Sequence, residues 1–261
     1  MARGEGRLEQ WLRRRGEARW ARDAAAAHVL PGGALRRKLA QADRLRAHLD
    51  AFAARARPRL LEGRPAPVLP DQPLGTDAVW RPALWRAAVH PSGAVALDSD
   101  THLGPDVALY HDCPLRELIL RQLPAVEAAA PAPYSVRVEV MGFAGDFLAL
   151  AIHLPAEVVG GLRRDHVVSV RIHAATERPI QLYARLNIRH GPNVEQVLRA
   201  LPRVEPGGQI GQTQADFDLH DSEMNEKRVE SGWLDLIFER PQMNAVTVAD
   251  VVVLRHPRAD L

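Results

Sequence analysis

Between positions 166 and 190 the chain reads His-Val-Val-Ser-Val-Arg-Ile-His, a turn, then Ile-Gln-Leu-Tyr-Ala-Arg-Leu-Asn-Ile-Arg-His, with apolar and polar side chains alternating. Successive side chains of a strand point to opposite faces, so a period of two predicts paired β-strands with one face on a core and the other in water. Runs of the same kind predict strands at 134–140, 147–154, 167–173, 180–189, 214–219, 233–238 and 245–254, with turn residues between nearly all of them. No helical run among them is long enough for regular crossovers, which points to an antiparallel sandwich and against a parallel α/β sheet. Residues 115–123 fit either a strand or a helix, and 98–112 read as a loop.

The first sixty residues follow a different period. Leu8, Trp11, Leu12 and Trp20 fall on one arc at 3.6 residues per turn, and Ala24 to Ala27 extend that helix towards Pro31-Gly32-Gly33, which stops it. A second stripe runs through Leu35, Leu39, Ala42, Leu45, Leu49 and Phe52, with Arg36, Arg37, Lys38, Arg44 and Arg46 around it, so the pair reads as a helical hairpin. Residues 1–60 hold 15 Arg and Lys against 6 Asp and Glu, a surplus of +9 in a chain whose total is +2, which leaves −7 on the remainder. Prolines 58, 65, 67, 70 and 73 favour extended, unpaired backbone. The expected organisation is therefore a basic α-helical hairpin over 1–57, a proline-rich linker over 58–73 and a mainly β, antiparallel jelly-roll sandwich over 74–261.

A single cysteine, Cys113, excludes an internal disulfide framework and a cysteine-rich zinc site. The N-terminal residues lack the apolar run of a secretory signal, and no stretch approaches a membrane span, so cytoplasmic residence is the default expectation.

From 147 to 255 the segments come in the order of the galactose-binding-like jelly roll. A strand ends in Leu-Pro, a short turn leads to Gly161-Leu162, strands cross the sheet, and the final strand is Val-Thr-Val-Ala-Asp-Val-Val-Val-Leu-Arg. This part resembles the jelly rolls used by many carbohydrate-binding modules. More specifically, Arg185-Leu-Asn-Ile-Arg-His-Gly-Pro-Asn193, Met224-Asn-Glu-Lys-Arg228 and Trp233-Leu-Asp-Leu-Ile-Phe-Glu239 resemble an uncharacterised bacterial protein family of unknown function. That resemblance implies a fold and brings no catalytic residues with it.

The chemistry on offer is that of a binding face. Gln181, Tyr183, Arg185, Asn187 and Arg189 share one side of a strand and continue into His190 and Asn193, while Trp233 and Asp235 share the more polar side of another. An aromatic platform, forked guanidinium donors and amides suit sugar hydroxyls or carboxylates. Tyr183, Arg185, Asn187, Arg189, His190, Asn193 and Trp233 are accordingly the expected ligand-binding residues, with Arg185, Asn187 and Arg189 exposed. Tyr183→Ala and Arg185→Ala are expected to remove ligand retention at little cost in stability.

Catalytic residues, a metal and a cofactor are not expected. Asp98, Asp100, His102, His111 and Asp112 mix ligand types and lack the calcium-loop pattern. His111 with Cys113, or Glu226 with Glu230 or Asp235, supplies the residue types of a nucleophile or a glycan hydrolase without the geometry. The sequence supports a non-catalytic β-sandwich binding module for a carbohydrate or cell-surface polysaccharide. The alternative is a structural or assembly protein making protein–protein contacts, with residues 1–57 for attachment or self-association; nucleic acid lacks a groove-reading signature.

Overall fold

The computed structural model describes residues 7–62, 72–125, 130–207 and 210–258. The chain falls into two units, Met1–Arg57 and Pro58–Leu261. The first holds α1 (Arg7–Ala25) and most of α2 (Gly32–Glu62), with a 3-10 turn at Ala27–Val29 between them. Leu30, which precedes a proline, is extended, and the Pro31 carbonyl accepts from the N–H groups of Ala34 and Leu35 to start α2. Lys38 pairs with Asp23 and ties the helices together.

α2 continues through Pro58 to Glu62, so the start of the expected linker is helical. Strong helix formers on both sides, Ala-Arg-Ala-Arg before and Arg-Leu-Leu-Glu after, tolerate the one missing N–H. Prolines 65, 67 and 70 lie outside the described residues. The side chains of Leu8, Trp11 and Leu12 lie outside them too, while Trp20 is half-buried. Along α2 the apolar stripe faces outward, with Leu39 60% and Phe52 72% exposed. Among the described residues no helix is long and apolar enough to cross a membrane.

The second unit begins with β1 (Ala78–Trp80), β2 (Gly93–Val95), β3 (Thr101–His102), β4 (Val107–His111) and β5 (Leu118–Pro124). It continues with β6 (Tyr134–Val140), β7 (Leu148–Leu154), β8 (His166–Thr176), β9 (Leu182–His190) and β10 (Asn193–Ala200). The last strands are β11 (Gly211–Asp218), β12 (Val229–Phe238) and β13 (Asn244–Pro257). They make two antiparallel sheets: β11-β8-β13-β6-β5-β2 with β1 on β13, and β10-β9-β12-β7-β4-β3. From β6 to β13 the chain changes sheet at every connection except the β9–β10 hairpin. The result is a jelly-roll type of sandwich.

The alternating segments that predicted a strand pair, β8 and β9, lie in different sheets. Alternation reports that a strand has two unlike faces and says nothing of which strand lies beside it. Residues 98–112 contain β3 and β4 where a loop was expected, and 115–123 resolve as β5. Between the sheets pack Leu109, Leu150, Ile152, Leu186, Leu234 and Leu236 from one side and Leu120, Val136, Val170, Val251 and Phe217 from the other, each almost wholly removed from water. Trp85 is fully buried, and its Nε1–H donates to the Val248 carbonyl at 2.9 Å. Trp80 belongs to the same core.

Candidate functional site

The six-stranded sheet presents its second face away from the core, and there the side chains form a grid. Cross-strand partners run His153–Trp233–Asn187 in one row, Ala108–Ala151–Asp235–Arg185–Leu198 in the next, and Tyr110–Ala149–Ile237–Tyr183 in the third. The middle of β7 contributes methyl groups where its neighbours contribute rings and long polar chains. The small side chains of Ala149 and Ala151 therefore leave a hollow. It is a cleft of about 500 Å³, walled by Tyr110, Phe147, His153, Trp233, Arg185 and Arg189 and closed by Ser231, Gly232 and Asp235.

Polar groups in the cleft are held in place. Arg185 donates from Nε and Nη2 to Asp235 Oδ2 at 2.9 and 2.8 Å, and Asn187 Nδ2 donates to the same oxygen at 2.9 Å. Asn187 Nδ2 also faces the carbonyls of Arg185 and Trp233, all acceptors, which fixes the orientation of the amide. Asp235 Oδ1 has no hydrogen-bond partner among the described residues. Tyr110 is held above its ordinary pKa, first by its hydrogen bond to Asp100 and then by burial. Phe147 reaches the rim because Asp112 anchors the backbone of its loop, accepting from the N–H of Asp146 at 2.9 Å and of Phe147 at 3.1 Å. Gly145 lets that anchor close, since a Cβ there would sit 2.2 Å from Asp112 Oδ1.

The sequence profile of one family spans residues 1–261 from end to end. The chain belongs to DUF6478, a family of unknown function. No curated protein matches it. Among solved structures, a xylan-binding domain from Paenibacillus barcinonensis aligns at TM-score 0.38 with 11% identity over 64% of this chain and 94% of that one. A family 11 carbohydrate-binding module from Clostridium thermocellum, in complex with a β-1,3-1,4-mixed-linked tetrasaccharide, aligns at TM-score 0.39 with 8% identity over 62% and 96%. An N-terminal endo-1,4-β-D-xylanase chain from C. thermocellum aligns at TM-score 0.38 with 9% identity over 54% of this chain, which spans 25% of that one.

In this DUF6478 chain, three of the seven residues expected from sequence, Arg185, Arg189 and Trp233, line the cleft. Tyr183 shares their face further out, where its hydroxyl donates to Glu239 at 3.0 Å, and that bond raises its pKa. Asn187, expected to be exposed, is fully buried beneath the cleft, because the Asp235 carboxylate draws its amide down. His190 lies on the opposite face of β9 and is buried, with its Nδ1 accepting from the Asn225 N–H. Asn193, expected to continue the polar face of β9, is the exposed first residue of β10, a strand not expected from sequence. Tyr110, Phe147 and His153 were missed; each alternates with apolar neighbours in or beside β4 and β7, but only the sheet order brings those strands to β12.

The mixed acidic and histidine segment disperses. Asp98 pairs with Arg116 and Asp100 with His102, and among the described residues no three His, Cys, Asp or Glu side chains gather as metal ligands would. His111 Nδ1 accepts from the Cys113 backbone N–H at 3.1 Å, so Nε2 carries the proton and donates to the Leu97 carbonyl at 3.0 Å. Both ring nitrogens are thereby committed to backbone, and neither is available to Cys113 Sγ as a base.

Proposed function

We propose that the chain is a non-catalytic saccharide-binding protein that holds its ligand in the cleft on the outer face of the six-stranded sheet. One observation carries this reading: an open hollow over Ala149 and Ala151 is flanked by the aromatic side chains of Tyr110, Phe147 and Trp233 and by a preset Arg185–Asp235 pair. Sugar rings have apolar faces that stack on aromatic rings, and hydroxyl edges that match fixed charged donors and acceptors. Binding is favoured over cleavage because Asp235 is the one carboxylate among the residues lining the cleft, whereas glycoside hydrolysis needs two facing carboxyl groups. The basic helical unit, with Leu39 and Phe52 exposed, is the proposed attachment element.

The test is a glycan array with the full chain, repeated with Trp233→Ala. The wild type should retain a subset of glycans. The variant should lose them with its melting temperature unchanged, because Trp233 is only half-buried on the outer face. A blank array for the wild type would sink the saccharide reading and leave the sheet face to protein contacts.

A further inference from the structure

The cleft receives two guanidinium groups and one carboxylate. Arg185 is matched, with two donors on Asp235 Oδ2. Arg189 is exposed and lines the cleft, and among the described residues no hydrogen bond or ion pair reaches it. It stands four residues along β9 from Arg185, about 13 Å at the rise of a strand, so Asp235 cannot serve both. Its cross-strand partners are Val194 on β10 and Ser231 on β12, neither charged. His153 lines the same cleft, paired across from Trp233. Arg189 thus brings to one end of the cleft a positive charge that no ion pair or hydrogen bond among the described residues satisfies, although Glu230 stands in the bulge beside Ser231 and residues 61–261 as a whole carry −7.

A neutral sugar would need only hydroxyl partners, which an amide or a hydroxyl side chain supplies. An unpaired guanidinium fork fits a planar carboxylate with two parallel hydrogen bonds, and such charge-assisted bonds are roughly twice as strong as neutral ones. We infer that the ligand of this cleft is an acidic saccharide, a uronic-acid-containing glycan whose carboxylate is paired by Arg189 while a neighbouring ring lies on Trp233. This rests on the saccharide-binding reading above and names the class of ligand within it.

Calorimetry on the full chain decides it, using polygalacturonate, alginate and hyaluronate, each beside its carboxyl-reduced form, in which the acid becomes a primary alcohol on the same backbone. At least one acid should bind, and reduction should weaken it about tenfold, as loss of one charge-assisted pair does. Arg189→Gln should lose the same factor on the acid and nothing on the reduced form, with an unchanged melting temperature. Reduced forms that bind as tightly as the acids, or neutral array glycans that bind while every acid fails, overturn the acidic ligand and leave the saccharide site standing. An acid that binds undiminished to both Arg189→Gln and Trp233→Ala binds elsewhere, which overturns the inference. No glycan binding of any kind overturns the saccharide site, and the acidic ligand with it.

Discussion

Asp112 anchors the rim of the cleft through the backbone of Asp146 and Phe147. The N–H groups of Asp146 and Phe147 are the main causes that hold its carboxyl below the ordinary aspartate value, ahead of the opposing effect of burial. The folded pKa is the lower one, so the anchor is fully present above the unfolded pKa and is lost only as pH falls through the folded value. The Asp112 carboxyl should titrate below the model-peptide midpoint of about 3.9 in an NMR titration; a midpoint at or above that would mean the Phe147 loop is not anchored there. Asp112→Ala should raise amide exchange at Asp146 and Phe147 and weaken ligand retention. Arg185 carries a different lesson. Its partner Asp235 is 5% exposed, so Arg185→Ala would leave a carboxylate poorly solvated and should lower the melting temperature as well as binding. This argues against the expectation that Arg185→Ala separates recognition from stability; Trp233→Ala and Arg189→Gln, on side chains without such a partner, should separate them.

The core face of β9 follows the alternation read from the sequence. Leu182, Ala184, Leu186 and Ile188 are buried, with Arg185 and Arg189 on the other side, because one face of a strand on a core leaves a period of two in the chain. Leu186→Ala should destabilise by about 2 to 5 kcal/mol as core truncations do, and Arg189→Ala by little; equal losses in chemical denaturation would contradict the register. Legibility ended where that asymmetry ended. β13 is buried on nearly all of both faces, so its apolar run from 245 to 254 reads as a strand without revealing a face. β10 is an edge strand exposed almost throughout, and Asn-Val-Glu-Gln-Val-Leu-Arg-Ala shows no alternation from which to find it. On the outer face of β8, Ser169 is buried with its hydroxyl donating to Asp216, and Arg171 with its Nε–H on Gln214, so the polar positions that predicted a solvated face bond to side chains of the neighbouring strand β11. The cleft was half legible for the same reason: alternation identified which side chains of β9 and β12 share a face. The order β9-β12-β7-β4, set by strands distant in sequence, supplied Ala149, Ala151, His153 and Tyr110.

At the scale of the molecule the charge is divided, and the division bears on where an acidic ligand is held. The +9 of residues 1–60 would attract any polyanion through counterion release, a contact that weakens steeply between about 50 and 200 mM salt and has no regard for sugar identity. The cleft lies in a unit of net negative charge, so long-range attraction works against it and only the local geometry of Arg189, Trp233 and the Arg185–Asp235 pair can hold a carboxylated sugar there. A fragment of residues 74–261 contains every strand of both sheets. It should unfold cooperatively by itself and keep its affinity for the uronate glycan that the full chain binds, with a shallower dependence on salt than the full chain shows. Measuring both proteins across that salt range separates the two sources of attraction. Affinity that disappears with residues 1–73, or that falls with salt as steeply in the fragment as in the full chain, would assign the polyanion to nonspecific charge and remove the cleft from the account.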